Sequence, residues 1–516
     1  PPPITNPAAS PPTHSDPSDV KEAYMSMIKV ENLTFAYPGS YHNVFENCTF
    51  HIDTSWKLGF VGRNGRGKTT LLKLLMGEYE YSGKIISSVE FDYFPYPVSD
   101  KGRATLEILS GICPAAEEWE FLRELSYLDV SPDALYRPFM TLSNGEQSKA
   151  LLAALFLNEG HFLLIDEPTN HLDADARELV SRYLRKKKSY ILVSHDRYFL
   201  DGCVDHILSL NRATVDVQNG NFSAWLQNFE QQQSFEKARD EHLRKDVQRL
   251  KQASRRTADW SDRIEASKYG NGPVDRGSIG HRAAKMMKRS KTIEARQMKA
   301  IKEKSALLKN TETAEKLKIH PLVYYSETLA SLSHAAPAYN GSPVCEPVSF
   351  EIRQGERTAL TGRNGSGKSS ILKLLDGQDI PHTGTVSVGS GLVISYVPQD
   401  TSFLKGTLDR FAADSQIDGT LFKTILRKLG FERIQFEKDM EDYSGGQKKK
   451  VLIAKSLCEE AHLYIWDEPL NFIDIYSRMQ IEQLLQEYAL TMVFVEHDRA
   501  FRELAATQEI PLQPIR

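Results

Sequence analysis

The sequence predicts an α/β protein: two tandem copies of one strand, loop and helix unit joined by a long antiparallel α-helical hairpin. Three observations carry this expectation. Five short motifs occur twice in the same order, about 300 residues apart. Each glycine-rich motif follows an apolar strand-like run and opens into a helical one. Between the copies, apolar residues recur at helical spacing on both sides of a glycine-rich turn.

The first copy reads GRNGRGKT (Gly62 to Thr69), LSNGEQ (Leu142 to Gln147), LLIDEP (Leu163 to Pro168), NHLD (Asn170 to Asp173) and SHDR (Ser194 to Arg197). The second reads GRNGSGKS (Gly362 to Ser369), YSGGQ (Tyr443 to Gln447), YIWDEP (Tyr464 to Pro469), NFID (Asn471 to Asp474) and EHDR (Glu496 to Arg499). Register identifies duplication: Lys68 to Lys368 is 300 residues, Glu167 to Glu468 is 301 and His195 to His497 is 302. A length of 516 residues accommodates two sizeable cores and a connector. The expected boundaries are 1–24, an extension; 25–226, the first cassette; 227–320, the connector; and 321–516, the second cassette.

Composition narrows the class. Hydrophobic content of 41% and charged content of 26% are ordinary for a globular chain. No run approaches the roughly 18 consecutive apolar residues of a membrane span, so the chain cannot itself form a transport pore. Five singly scattered cysteines (Cys48, Cys113, Cys203, Cys345, Cys458) lack metal-site spacing and suggest unpaired thiols in the reducing cytoplasm. Residues 1–24 contain seven prolines and are expected to be disordered, with Met25 or Met27 as a natural start. Net charge is −4, yet Phe235 to Lys318 holds 23 Lys and Arg against 12 Asp and Glu. Such a segment is a candidate polyanion-binding element.

The glycine-rich loops suit phosphate. Glycines let backbone amides curl round phosphate oxygens at a helix N-terminus, so Gly62, Asn64, Gly65 and Gly67, with Gly362, Asn364, Gly365 and Gly367, form the candidate cradles. Lys68 and Lys368 are placed to reach the outer phosphates, and Thr69 and Ser369 to offer a hydroxyl to Mg2+, with Thr70 and Ser370 beside them. FLLID and LYIWD read as buried parallel strands that deliver Asp166 and Asp467 as Mg2+ carboxylates. The next residues, Glu167 and Glu468, are candidate general bases for an attacking water, and His195 and His497 candidate γ-phosphate contacts. Tyr37 and Tyr339 are candidates to stack on adenine.

LSNGEQ and YSGGQ resemble the signature motif of the ATP-binding cassette ATPases. The resemblance implies ABC-type P-loop NTPase cassettes packed head to tail, each ATP lying between one phosphate loop and the other cassette's signature. Site one would then join Gly62 to Thr69, Asp166, Glu167 and His195 with Ser444, Gly445 and Gly446. Site two would join Gly362 to Ser369, Asp467, Glu468 and His497 with Ser143, Asn144 and Gly145. Two positions depart from the pattern. Gln399 in SYVPQ matches the family's metal-binding glutamine, whereas the first copy offers Tyr96 in DYFPY, which implies slower turnover at site one. Asn144 replaces a signature glycine and is expected to be tolerated because asparagine accepts positive φ.

In the connector, Leu243, Val247 and Leu250 give a helical face from about Gln227 to Ser267. Met286, Ile293, Ala300 and Leu307 recur every seven residues in a second helix from about Arg282 to Lys318. Arg276 to Lys304 holds ten basic residues against Glu294 and Glu303, a pattern suited to RNA backbone.

Tandem cassettes around a basic connector resemble the F subfamily of ATP-binding cassette proteins. KLGFVGRNGRGKTTLL, YFPY, DRGSIGHRAAKMMKRSK and YIWDEPLNFID are similar to the Lsa and Vga type of antibiotic-resistance ribosome protection proteins. That resemblance implies a monomer, its cassettes paired intramolecularly, bound in the bacterial ribosomal E site. It also implies that the hairpin contacts large-subunit rRNA and P-site tRNA, releasing lincosamide, pleuromutilin or streptogramin A drugs. Lys268, Tyr269, Val274, Ile279 and Arg282 are the candidate hairpin-tip residues. A housekeeping translation factor and the ATPase subunit of an importer are the competing expectations. Only 45 residues separate Gln399 from Ser444, and 47 Tyr96 from Ser143, so the long arm of some housekeeping relatives has no room.

Overall fold

In a computed structural model, the described residues are 27–39, 43–170, 172–210, 215–267 and 321–515, with 288, 292 and 296 between them. The chain divides into two units. One contains both cassettes, and the other begins at Ala224.

Each cassette is built on a parallel sheet whose central strands are apolar on both faces, as a sheet covered by helices on both sides requires. In the first cassette the order is Glu90–Phe94, His161–Asp166, Tyr190–Val193, Lys57–Gly62, His206–Leu210 and Val215–Asn219, the last pairing antiparallel. The second repeats it as Ile394–Val397, Leu463–Asp467, Met492–Val495, Arg357–Thr361 and Gln508–Pro511, all parallel. The repeat seen in the motifs thus extends to topology.

An antiparallel sheet flanks each core. Met27–Phe35 pairs with Phe45–Asp53 and Ser82–Ile86 in the first cassette. Thr328–Tyr339 pairs with Val348–Arg353 and His382–Val388 in the second. Here burial alternates along the strand, as in Val348–Arg353, because one face packs inward and the other meets water. Helices Asn144–Leu155 and Gly445–Cys458 start from capping boxes, Ser143 with Glu146 and Ser444 with Gln447. Reciprocal capping satisfies amide groups that the first turn would otherwise leave bare.

Helix Phe222–Ser267 starts five residues before the expected boundary at 226/227. Phe222 and Trp225 explain the difference, since both are buried and one helical turn apart. Val247 is buried as its spacing predicts. Residues 1–24 and the hairpin-tip candidates lie outside the described residues, as does the second connector helix apart from Lys288, Thr292 and Arg296, which are helical and exposed.

Candidate nucleotide sites

Both phosphate loops turn through left-handed glycines that lead directly into a helix. Gly67 (φ 101°) caps Lys68–Leu75, and Gly367 (φ 81°) caps Lys368–Leu375. A Cβ at Gly67 would lie 2.6 Å from Val44 Cγ1, so both conformation and space demand glycine there. Lys68 Nζ donates to Gly62 O at 2.9 Å and to Asn64 Oδ1 at 3.0 Å; Lys368 Nζ donates to Gly362 O at 2.9 Å and Arg363 O at 2.7 Å. Each ammonium is therefore held over its own loop. Burial holds both lysines below their usual range, a penalty that an outer phosphate would relieve.

Thr69 donates its hydroxyl hydrogen bond to Asp166 Oδ2 at 2.7 Å, and Tyr93 donates to the same oxygen at 3.1 Å. Tyr93, three residues before Tyr96, is thus the tyrosine of DYFPY that reaches Asp166. Asp467 is 1% exposed, and its Oδ1 has no hydrogen-bond partner among the described residues. Its carboxyl is held above the usual range by burial, against a hydrogen bond from Ser369. A buried carboxylate beside a hydroxyl, with one oxygen unspent, fits a partly hydrated divalent cation. Gln399 Nε2 donates to Glu468 Oε2 at 2.9 Å.

The two glutamates share a backbone strain but not an electrostatic environment. Glu167 (φ 52°) and Glu468 (φ 47°) both adopt left-handed conformations, a state that the surrounding fold must hold in place. Their amides donate to Val193 O and Val495 O on the neighbouring strands. Burial pushes the Glu167 carboxyl up to about 8, and Asp166 adds to this against Lys68. Burial also pushes Glu468 up, but His497, Asn471 and Lys449 outweigh it and leave the carboxyl below its usual range. His195 Nε2 lies 3.3 Å from Glu167 Oε1 and 3.1 Å from Asn64 Oδ1. Burial, then Lys68 and Arg478, hold this imidazole far below its usual value, so it is neutral. His497 Nε2 stands 3.7 Å from Glu468 Oε1, beyond hydrogen-bond reach.

Across the cassettes, Asn64 Nδ2 donates to Phe472 O at 2.6 Å. A Cβ at Gly446 would lie 2.2 Å from Phe472 O of its own cassette and 3.1 Å from Asn64 Nδ2, so the Asn64 side chain meets the second cassette where its signature packs on the NFID segment. On the opposite side a cavity of about 1040 Å³ is lined by Ser143, Asn144 and Gly145 and by Gly365, Gly367, Lys368, Ser369 and Ser370. Tyr339, Gln399, Glu468 and His497 also face it. Asn144 is the first residue of its helix and its φ is not positive, which corrects the expected reason for its tolerance. Tyr37 contacts Thr70 Oγ1 through its hydroxyl at 2.7 Å and Tyr339 contacts Ser370 Oγ at 3.0 Å, the same arrangement in both copies.

Sequence reasoning missed a further repeated pair. Arg478 donates to Asp498 Oδ2 at 2.6 Å, Ile473 O at 2.9 Å and Leu470 O at 3.0 Å. Arg177 likewise donates to Asp196 Oδ2 and Leu172 O, both at 3.0 Å. Each ties the NHLD or NFID segment to the histidine segment of its own cassette. Their 301-residue offset was the available signal.

Comparison with known proteins agrees with this geometry. Residues 45–170 and 345–471 match the ABC transporter family. Ribosome protection protein VmlR of Bacillus subtilis is 28% identical over 94% of this chain and 87% of its own. Energy-dependent translational throttle protein EttA of Haemophilus influenzae is 25% identical (87% and 86%). ABC transporter F family member 2 of Arabidopsis thaliana is 24% identical (92% and 75%). The chain belongs to the ABC-F family. This ABC-F protein is accordingly an ATPase. An archaeal ribosome recycling factor, aABCE1, solved with stalk protein aP1, shares the fold of the ABC-F chain at TM-score 0.60 and 19% identity, covering 94% and 90% of the two chains. None of the described helices is long and apolar enough to cross a membrane.

Proposed function

We propose that this ABC-F ATPase is a cytoplasmic ribosome protection factor. It binds the E site of the bacterial ribosome in the ATP state, and its connector acts on P-site tRNA and large-subunit rRNA near the peptidyl-transferase centre. Release of lincosamides, pleuromutilins or streptogramin A follows, and hydrolysis frees the protein. The observation that carries this reading is two candidate nucleotide sites that draw on both cassettes of one chain, with an intervening segment that is basic in sequence and helical from Phe222 to Ser267. Similarity to a ribosome protection protein along 94% of the chain supports it.

In the second site Glu468, ionised at neutral pH, takes a proton from the attacking water while Gln399 and Asn471 hold its other oxygen. Lys368 and the amides of Gly365 and Gly367 gather the negative charge of the phosphates. Bound Mg2+ would neutralise phosphate charge, with Ser369 and Asp467, and Thr69 and Asp166 in the first site, as the residues that hold it. Ser143, Asn144 and Gly145 close the second site from the opposite cassette, and Ser444, Gly445 and Gly446 the first. Tyr37 and Tyr339 reach adenine by turning from Thr70 and Ser370. The connector from 227 to 320, with Lys268, Tyr269, Val274, Ile279 and Arg282 at its tip, contacts RNA.

The test is co-sedimentation. Protein trapped by Glu167→Gln with Glu468→Gln will pellet with bacterial ribosomes in ATP. Absence from the ribosomal pellet would sink the reading. Expression in a susceptible host will raise inhibitory concentrations of the three drug classes, and unchanged values would assign the chain to translation itself.

A further inference from the structure

We propose that Lys449 is a positioning residue of the second nucleotide site, bridging the loop that carries Gln399 to the strand end that carries Asp467 and Glu468. Lys449 is a buried lysine, 2% exposed, on helix Gly445–Cys458. Its Nζ donates to Pro398 O at 2.8 Å and to Asp467 O at 3.1 Å. Those carbonyls stand at the ends of two neighbouring parallel strands, Ile394–Val397 and Leu463–Asp467, whose last paired residues are Val397 and Trp466. Pro398 has no N–H and cannot extend the ladder. The ammonium group takes over at that point and ties the two chain ends together.

The next residue on each side is functional. Gln399 follows Pro398 and Glu468 follows Asp467, and they meet in the 2.9 Å hydrogen bond from Gln399 Nε2 to Glu468 Oε2. Lys449 lines the same cavity as Gln399 and Glu468, and loss of its bridge loosens the contact between them. The same helix begins at Ser444, the signature serine that faces the first site, so Lys449 also connects the two sites mechanically.

The first cassette lacks both halves of the device. The residue 301 positions before Lys449 is Ser148, which donates to Asn144 O within its own helix. The counterpart of Gln399 is Tyr96, 39% exposed. Lysine and glutamine occur together in one copy and are absent together from the other, as a working pair would be.

The inference rests on Glu468 as the base of the second site, and the experiment separates the two claims. Phosphate release is measured in a Glu167→Gln background, where the second site alone turns over. Adding Lys449→Met will lower kcat tenfold or more and leave KM for ATP within threefold. Gln399→Ala will lower kcat similarly, and the double variant will be no worse than either single, because both act through Glu468. Unchanged kcat, a loss confined to KM, or additive losses would overturn the assignment of Lys449. Retained turnover after Glu468→Gln in the same background would instead overturn the base. If Lys449→Met loses its thermal transition, the pair is transplanted as Ser148→Lys with Tyr96→Gln in a Glu468→Gln background. A threefold or greater gain in kcat at the first site supports the proposal, and no gain overturns it.

Discussion

Glu167 and Glu468 occupy equivalent positions in two copies of one motif, yet their surroundings set them on opposite sides of the ordinary carboxylate value of 4.5. Replacing each by glutamine exposes this as a pH dependence of stability. Glu167 is raised to about 8 in the fold, so the folded protein keeps a proton that the unfolded chain has released. Its contribution is complete below pH 4.5 and is lost as pH rises through about 8. Each pH unit in that window removes on the order of 1 kcal/mol. Glutamine mimics the protonated acid and carries no such slope. From about pH 5.5 to about 7.5, Glu167→Gln will gain roughly 2–3 kcal/mol on the parent. At roughly 2–4 °C per kcal/mol for a cassette of this size, that is a relative rise in Tm of about 5–10 °C. Glu468 is depressed, so its contribution is present above the ordinary carboxylate range and lost only as pH falls; Glu468→Gln will therefore run parallel to the parent over the same interval. Scanning fluorimetry in EDTA without nucleotide measures all three proteins. Parallel profiles for Glu167→Gln and the parent would refute the buried, protonated carboxyl.

Three further outcomes are expected. In steady-state phosphate release at neutral pH, Glu468→Gln will reduce ATPase activity more than Glu167→Gln, because Glu468 is ionised while Glu167 is mostly protonated; equal losses would remove the ranking. Arg478→Met strands the fully buried Asp498 and two carbonyls, and will cost about 3–5 kcal/mol in urea unfolding. Arg177→Met, at a pair with more solvent on both partners, will cost less. Gly446→Ala places a methyl against Phe472 O and will abolish ATP-dependent ribosome pelleting while the thermal transition of each cassette persists, which co-sedimentation and calorimetry read separately.

Much of the site was legible because its parts are local in the chain. A phosphate loop, a carboxylate at a strand end and a serine at a helix N-cap are each encoded within a few residues, and repetition at an almost constant offset separated them from chance. Asn144 shows where such reading errs: its place was foreseen, but the conformation invoked for it belongs to a helix start with ordinary φ. The contact of Tyr93 with Asp166 was not legible, because the strand that carries Tyr93 pairs with that of Asp166 only in the folded sheet. Arg177 and Arg478 carried a signal in their offset that the motif search did not cover.

The sequence by itself determined duplication, the α/β class and the ATPase assignment, because those depend on spacing along one strand, loop or helix. Tertiary structure alone decided which atoms meet. Asn64 reaches Phe472 over 408 residues, and Lys449 spans Pro398 and Asp467 from a third element. It also decided that identical Asp-Glu-Pro segments hold one carboxyl above the ordinary carboxylate range and the other below it. Burial and neighbouring charge set that difference, and both come from residues far apart in the chain.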